Sequence, residues 1–508
     1  MLATLHSYGL TGLEAYPITI EVDAARGLPG TSIVGLPDNA VRESRDRVRT
    51  AIRNSGYKNR SKRVTVNLSP ADVKKEGPAF DLAIALGYLA ATKQINTQRL
   101  SEYIVLGELS LNGSIRPVKG VLAISLSIPK DKYKGIILPA PNAPEASICR
   151  RLPVFPVQEL KEVIHFLHDP KSLLPLKPDK LLFSQKDSPP GPDFSEVKGH
   201  TYVKRGLEIA AAGGHNVLMI GPPGSGKTML AKRIPGILPE MNLNEALETT
   251  KIHSALGLNQ SRQGLMRQRP FRCPHHTASD VALVGGGALP KPGEVTLAHN
   301  GILFLDELPE FNRNVLESLR QPLEDRCVTV ARASKTLRFP ANFMLVASMN
   351  PCPCGFLTDT RRPCHCRPLQ IQKYLSKISG PLLDRIDLHL EVPALHTLEL
   401  MSGLPQESSA DIRKRTIAAR RKQHERFQKH NILTNAQMTH QQLKEFCQIN
   451  TEGQELMKAA INELGLSARV YDRVLKVART IADLAGKNEV ASDHISEAIQ
   501  YRCRNRWL

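Results

Sequence analysis

Three groups of residues in this 508-residue chain combine types and spacings that could do chemistry. The first is Gly221-Pro222-Pro223-Gly224-Ser225-Gly226-Lys227-Thr228, set between the apolar run Val217 to Ile220 and a helical pattern. Glycines so placed let backbone N–H groups wrap a phosphate chain at a helix N-terminus, and the motif is the P-loop in its strand–loop–helix context. Lys227 is expected to reach the β- and γ-phosphates of ATP, and Thr228 to bind Mg2+. The second group is "ILFLDE", four apolar residues that end in Asp306 and Glu307. A buried parallel strand with two carboxylates at its C-terminal tip suits the metal-and-water end of such a site. Asp306 is expected to hold Mg2+ through water, and Glu307 to polarise the attacking water. A further apolar run, "NFMLVASMN", ends at Asn350 and sets a neutral polar group beside the γ-phosphate. The third group is "NPCPCGFLTDTRRPCHCRP", which gathers four of the nine cysteines, Cys352, Cys354, Cys364 and Cys366. Two Cys-x-Cys pairs can supply a tetrahedral thiolate set for structural Zn2+, with His365 able to replace one sulfur; free reduced thiols are the alternative. The loop they close carries Arg361 and Arg362 and is expected to stand out as a stiff basic finger.

Two smaller stretches are more ambiguous. "GPLLDRIDLHLEV" sets Arg385 between two aspartates after an apolar helix. Nothing in the same P-loop needs it, so it is a candidate arginine finger acting across a subunit boundary, with a surface ion pair as the bland reading. "RCPHHTASD" brings Cys273, His275 and His276 together without a second ligand pair nearby, so packing or nucleotide communication is expected rather than metal.

Elements to position these residues can be read from periodicity. Residues 1–168 hold β-rich runs such as "PITIEVDA" and "RVTVNLS" that alternate with helical patterns such as "DNAVRESRDRVRTAIRNSG". Residues 169–194 are rich in Pro, Lys and Ser and predict a linker. Residues 195–395 alternate apolar strands with helices, the pattern of a parallel α/β sheet, and 396–508 are nearly all helical. A chain of this length exceeds one ordinary core. No apolar run reaches the roughly 18 residues of a membrane span, and the N-terminus lacks a basic region followed by an apolar one, which predicts a cytoplasmic protein. Lys plus Arg exceed Asp plus Glu by 68 − 49 = 19, an excess that suits a polyanion partner.

The P-loop, "ILFLDE", "SMNPCPCG", "PLLDRID" and "LSARVYDRVLKVARTIADLAG" occur in this order over almost the whole chain. Together they resemble the magnesium-chelatase-like AAA+ proteins, specifically the ComM/YifB family. The resemblance implies a helical lid whose arginine touches nucleotide, a role that fits Arg469 best, with Arg473 as the competitor. It also implies a homohexameric ring in which Arg385 meets a neighbour's ATP. Residues 1–168 resemble the S5-like α+β fold of the Lon protease domain. Ala79 stands at the position of the protease serine and Leu122 at that of the lysine, with Lys119 three residues early. A Ser/Lys dyad needs a hydroxyl beside an amine, so peptide hydrolysis is not expected. The stretch between P-loop and "ILFLDE" resembles a helix-2 insertion that faces a ring's channel, carrying Arg262, Arg267, Arg269, Arg272 and Lys291. "RCVTVARASKTLRFPANF" resembles a pre-sensor-1 hairpin with Arg332 and Lys335 at its tip, a second surface for a DNA backbone. The function so implied is a DNA motor, with helicase or branch-migration activity, that extends integration of incoming single-stranded DNA in natural transformation after RecA-type strand invasion. The alternative is a protein-remodelling or chelatase-like ATPase without DNA translocation.

Overall fold

Alternating apolar residues along Leu2–Thr11 (β1) and Glu14–Ala25 (β2) turn Leu5, Ile18, Ile20 and Val22 to one buried side. That period of two is the mark of a strand with one face on a core. β1 and β2 pair antiparallel from Leu2 opposite Asp23 to Thr11 opposite Glu14. Gly30–Val34 (β3), Arg63–Ser69 (β4), Tyr103–Val105 (β5), Gly135–Pro139 (β6) and Val154–Val157 (β7) complete a seven-stranded mixed sheet in the order β3-β4-β2-β1-β5-β6-β7. The computed structural model describes residues 2–177, 191–259, 264–287, 290–331, 336–359, 361–394, 406–430, 432–464 and 468–503. It forms two compact units, Met1–Lys186 with Leu243–Met266, and Asp187–Asn242 with Arg267–Leu508.

In the first unit the helix Asn39–Asn54 (α1) begins where the Asp38 side chain accepts from Val41 N at 2.7 Å, a cap worth about 1 kcal/mol. Its Val41, Val48, Ala51 and Ile52 face the core, and most of its arginines face outward. Asp81–Ala91 (α2) is buried along its whole length, so each of its leucines contributes roughly 1.5–3 kcal/mol by leaving water. The buried Asp81 carboxylate at its start accepts from Arg47 Nε at 2.9 Å, from Ser44 Oγ and from Leu109 N. Burial raises its pKa, and these donors work against that.

The expected ATPase span contains one helix, Leu243–Leu256, that packs with the first unit instead. Gly120 N donates to Ser254 O at 2.9 Å, and Ser254 Oγ donates to the buried Glu145 carboxylate. Leu122 N and Asn259 Nδ2 donate to the same carboxylate. Farther on, Gly264 has φ +81°, and a Cβ there would stand 2.5 Å from Glu145 N. Only glycine fits so close an approach.

The second unit is built on Val217–Ile220 (β8), Phe271–Arg272 (β9), Ile302–Leu305 (β10), Met344–Met349 (β11) and Leu388–Glu391 (β12). They run parallel throughout in the order β9-β10-β11-β8-β12. Apart from the short β9, their residues are almost all buried, as expected of a sheet covered on both faces. Thr201–Gly213 (α3) and the C-terminal helices Ser409–Arg426 (α4), Ala468–Leu484 (α5) and Ser492–Cys503 (α6) share one core with this sheet, including Leu207, Ile209, Leu390, Val474 and Ile481. Cys327–Ala331 and Thr336–Pro340 form a separate antiparallel hairpin. No helix among the described residues is long and apolar enough to cross a membrane.

Candidate nucleotide and metal sites

The parallel register carries the ends of β8 and β11 to the same level at Gly221 and Asn350, and sets Asp306 at the tip of β10 level with Ser348. Lys227 opens the helix Lys227–Ala231 after Gly226, and its Nζ lies 2.7 Å from Gly221 O, 2.9 Å from Pro222 O and 3.2 Å from Asn350 Oδ1. These neutral partners orient the ammonium without neutralising it. Burial pushes its pKa down to about 8, against the pull of Asp306 and Glu307. Thr228 Oγ1 donates to Asp306 Oδ2 at 2.7 Å. The other oxygen, Asp306 Oδ1, accepts from Ser348 Oγ and from Glu307 N at 3.1 Å. A hydroxyl and a carboxylate in contact are the hard oxygen donors that Mg2+ takes, so this pair fits the ion.

Glu307 has φ +54°, a conformation that costs a non-glycine residue on the order of 1–3 kcal/mol and clusters at functional positions. Its side chain is largely exposed, and one oxygen lies 3.8 Å from His276 Nδ1. His276 lies against His275 in a tilted pair, 4.1 Å between ring centroids, and meets Phe311 edge-on. The "RCPHHTASD" stretch thus packs beside the acidic tip of β10. Ser348 was not among the expected site residues. Its signal was a lone hydroxyl inside an otherwise apolar strand.

Three family models cover most of the chain. Residues 193–400 match magnesium chelatase, subunit ChlI; residues 20–142 match the subunit ChlI model of Mg-chelatase; and residues 406–502 match its C-terminal model. The chain is 45% identical to the competence protein ComM of Haemophilus influenzae, over 100% of this chain and 98% of that protein. It is 44% identical to YifB of Escherichia coli over the same shares of both chains. A magnesium-chelatase subunit ChlI of Guillardia theta is 23% identical over 42% of this chain and 62% of its own length. The chain belongs to the ComM/YifB family of magnesium-chelatase-like AAA+ proteins. The parallel sheet and helical C-terminal region of the second unit accord with that family.

In this ComM/YifB chain the cysteine loop leaves β11 directly. The sulfurs of Cys352, Cys354, Cys364 and Cys366 all lie within 4.8 Å of one another. Cys352 and Cys354 Sγ are 3.4 Å apart, Cys354 and Cys364 3.6 Å, and Cys352 and Cys364 3.7 Å. Thiolates about 2.3 Å from a tetrahedral zinc stand about 3.8 Å apart, so the donor set fits Zn2+. His365 is exposed and is not one of the four gathered ligands. Gly355, at φ +84°, lies against the P-loop, where a Cβ would meet Pro223 Cδ at 2.5 Å. Arg362 lies over the Phe356 ring at 5.5 Å, and Arg361 pairs with Asp359.

The other expected arginines are placed as follows. Arg385 is 8% exposed, donates to Pro381 O and pairs with Glu324. Arg473 pairs with the buried Asp387 and donates to Arg385 O at 3.0 Å, tying α5 to the start of β12. Burial alone would raise the Asp387 carboxyl, but Arg473 and His215 hold it well below the usual carboxylate range. Arg469, one turn earlier on α5, is exposed. Arg269 donates to Pro239 O, Asn300 O and Glu240 O, so its guanidinium braces backbone. Arg272 pairs with Glu294 at 2.6 Å, and Arg267 lies 3.9 Å from Glu240. Arg262, Arg332 and Lys335 lie outside the described residues. In the first unit Ala79 O accepts from Gly107 N, and Leu122 is fully buried. Neither position offers a nucleophile or a base.

Proposed function

We propose that this chain is a hexameric, ATP-dependent DNA motor, with helicase or branch-migration activity, that promotes integration of incoming DNA by recombination. The observation that carries the reading is the convergence of Lys227, Thr228, Asp306 and Glu307 on adjacent strand tips, in a chain alike over its whole length to a competence protein. The amides of Gly221 to Thr228 and the Lys227 ammonium would hold the phosphates of ATP. Thr228 and Asp306 would hold Mg2+, which when bound neutralises charge on the transferring phosphoryl group. Glu307 would take the proton of the attacking water, and Asn350, in contact with Lys227, would orient the γ-phosphate end.

Arg385 would act on a neighbour's nucleotide after exchanging Glu324 for it. On the lid, Arg469 is left as the nucleotide-contacting arginine, because Arg473 is already engaged by Asp387. Arg262, Arg267, Arg269, Arg332 and Lys335 are proposed to face DNA, with Arg269 acting chiefly as a brace. A Lon-like fold without its dyad would serve the first unit as a binding module. Cytoplasmic location and cooperation with RecA-type filaments belong to the same proposal. The family models, named for magnesium chelatase, favour one other reading, a chelatase-like or protein-remodelling ATPase without DNA translocation.

The deciding assay is ATP hydrolysis with and without DNA, together with movement of a synthetic four-way junction. DNA-stimulated hydrolysis and junction migration, both lost in Glu307→Gln, are expected. ATPase activity indifferent to DNA, with no junction movement, would overturn the motor reading in favour of the second.

A further inference from the structure

The first unit carries a recess that neither the nucleotide site nor the basic loops of the second unit explain. It is a small recess of about 40 Å³ opening to solvent, lined in part by Arg49, Asn59, Arg60, Ser61, Lys62 and Tyr88. None of its lining residues is acidic. The sequence around it is strongly one-sided, with nine Lys or Arg against two acids over residues 42–63.

The recess is fastened from below. Asn59 Nδ2 donates to Arg49 O at 3.0 Å, which ties the loop back to α1. The buried Tyr88 of α2 donates its hydroxyl to Arg60 O at 3.2 Å. Lys62 N donates to that same carbonyl at 2.8 Å, and Gly30 N donates to Lys62 O at 3.3 Å. Lys58 N and O are both held by the Gln94 side chain. The carbonyls of Arg49, Arg60 and Lys62 are therefore already taken, and what the recess offers is mainly donors. Among the described residues the side chains of Arg49, Arg60 and Lys62 form no ion pair. The acid one turn back on α1, Asp46, pairs with Arg45 at 3.2 Å and also feels the charge of Arg49, without an ion pair between them. Burial raises the Tyr88 phenol, and the charges of Arg49 and Arg60 oppose that, which puts both guanidiniums near the floor of the recess.

A rigid, donor-rich hollow with two guanidiniums and an ammonium matches an anion bearing several acceptor oxygens. Guanidiniums suit tetrahedral oxyanions because their forked N–H groups bind two oxygens at once. No aromatic face is offered for a base to stack on, since the one ring present is buried, so backbone and not base is the match. We infer that the Arg49–Arg60–Lys62 recess is a phosphate seat for a nucleic-acid backbone on the first unit. This contact is additional to the loops named above and shares with the preceding reading only the partner.

The test uses the full chain and an Arg49→Ala/Arg60→Ala double variant, with a fluorescent single-stranded oligonucleotide titrated over a salt series. The variant is expected to bind about tenfold more weakly at low salt and to lose about one to two from the slope of log K against log salt. Its DNA-free ATPase rate should be unchanged, and an Arg49→Lys/Arg60→Lys variant should recover most of the affinity. Equal affinity and slope in wild type and double variant would overturn the seat. Should the wild type bind no DNA at all, the motor reading fails by itself, and calorimetric titration with tripolyphosphate then decides the recess, with Lys227→Ala added to both proteins so that the P-loop does not contribute. Heat that is present with Arg49 and Arg60 intact and absent in their double variant would show a seat for free phosphates instead of a backbone, overturning the nucleic-acid assignment; equal heat in both, or none in either, would remove the seat altogether.

Discussion

Lys227 sits half-buried among carbonyl oxygens, and its ammonium is pushed down to about 8 by that burial. Bound phosphates favour the charged form, so the pKa must rise when nucleotide enters. The sign follows: below pH 8 the lysine is already protonated and affinity is flat. Above pH 8 binding takes up a proton, and nucleotide affinity should fall, by at most about tenfold per pH unit. Calorimetry at pH 7, 8 and 9, in buffers of different ionisation enthalpy, should show proton uptake only at the higher values. A second residue-scale prediction concerns Ser348, whose hydroxyl and the Glu307 amide hold one oxygen of Asp306 while Thr228 holds the other. Ser348→Ala should weaken Mg2+-dependent hydrolysis roughly 10-fold or more, as removing a partner of a metal-binding carboxylate does. A magnesium titration of the ATPase rate reads this out, with the half-saturating concentration rising more than the rate at saturation falls. That the P-loop and the acidic pair would meet was legible in the sequence, because both sit at the ends of apolar strand runs, and Thr228 does contact Asp306. The part played by Ser348 was not, because it depends on which strands lie side by side.

At the scale of elements, the cysteine loop is anchored twice, by leaving β11 beside Asn350 and by the contact of Gly355 with Pro223. Cys352→Ser together with Cys364→Ser should abolish zinc binding, measured by metal analysis of the purified protein. ATPase activity should fall through displacement of Asn350 and the P-loop, while the helical content measured by circular dichroism stays close to wild type. In the first unit the buried Asp81 depends on Arg47. Arg47 is itself partly exposed and Asp81 keeps Ser44 and Leu109 as donors, so Arg47→Ala should cost about 1–3 kcal/mol of that unit's stability. Denaturant unfolding of the full chain should show the matching shift in one of two transitions. The cysteine spacing was enough to suggest the metal set, and the four sulfurs do gather. Arg269 and Arg385 show the opposite case. An arginine in a basic loop and one bracing carbonyls read alike in a one-dimensional string, and only the fold reveals Pro239 O or Glu324 as its partner.

At the scale of the whole molecule, strands were readable from periodicity, whereas most of the linker expected at 169–194, residues 178–190, lies outside the described residues. The membership of Leu243–Met266 was not, because nothing in its composition distinguishes it from the ATPase helices around it; its place is set by Glu145, Ser254 and the close approach at Gly264. The chain therefore passes between its two units three times, near 186, 242 and 266. A protease site engineered into residues 169–194 should yield two fragments that elute together from size exclusion and part only in denaturant. Separate elution of the nicked halves would show that the docked segment holds too weakly to matter. For heredity this has a plain meaning. The reading frame is not two cassettes joined by a spacer: the N-terminal cassette has part of its coding sequence lodged inside the other. Recombination between distant relatives at the spacer would mate the first unit with a foreign docking segment, so a swap of the N-terminal half should carry Leu243–Met266 with it to keep that contact.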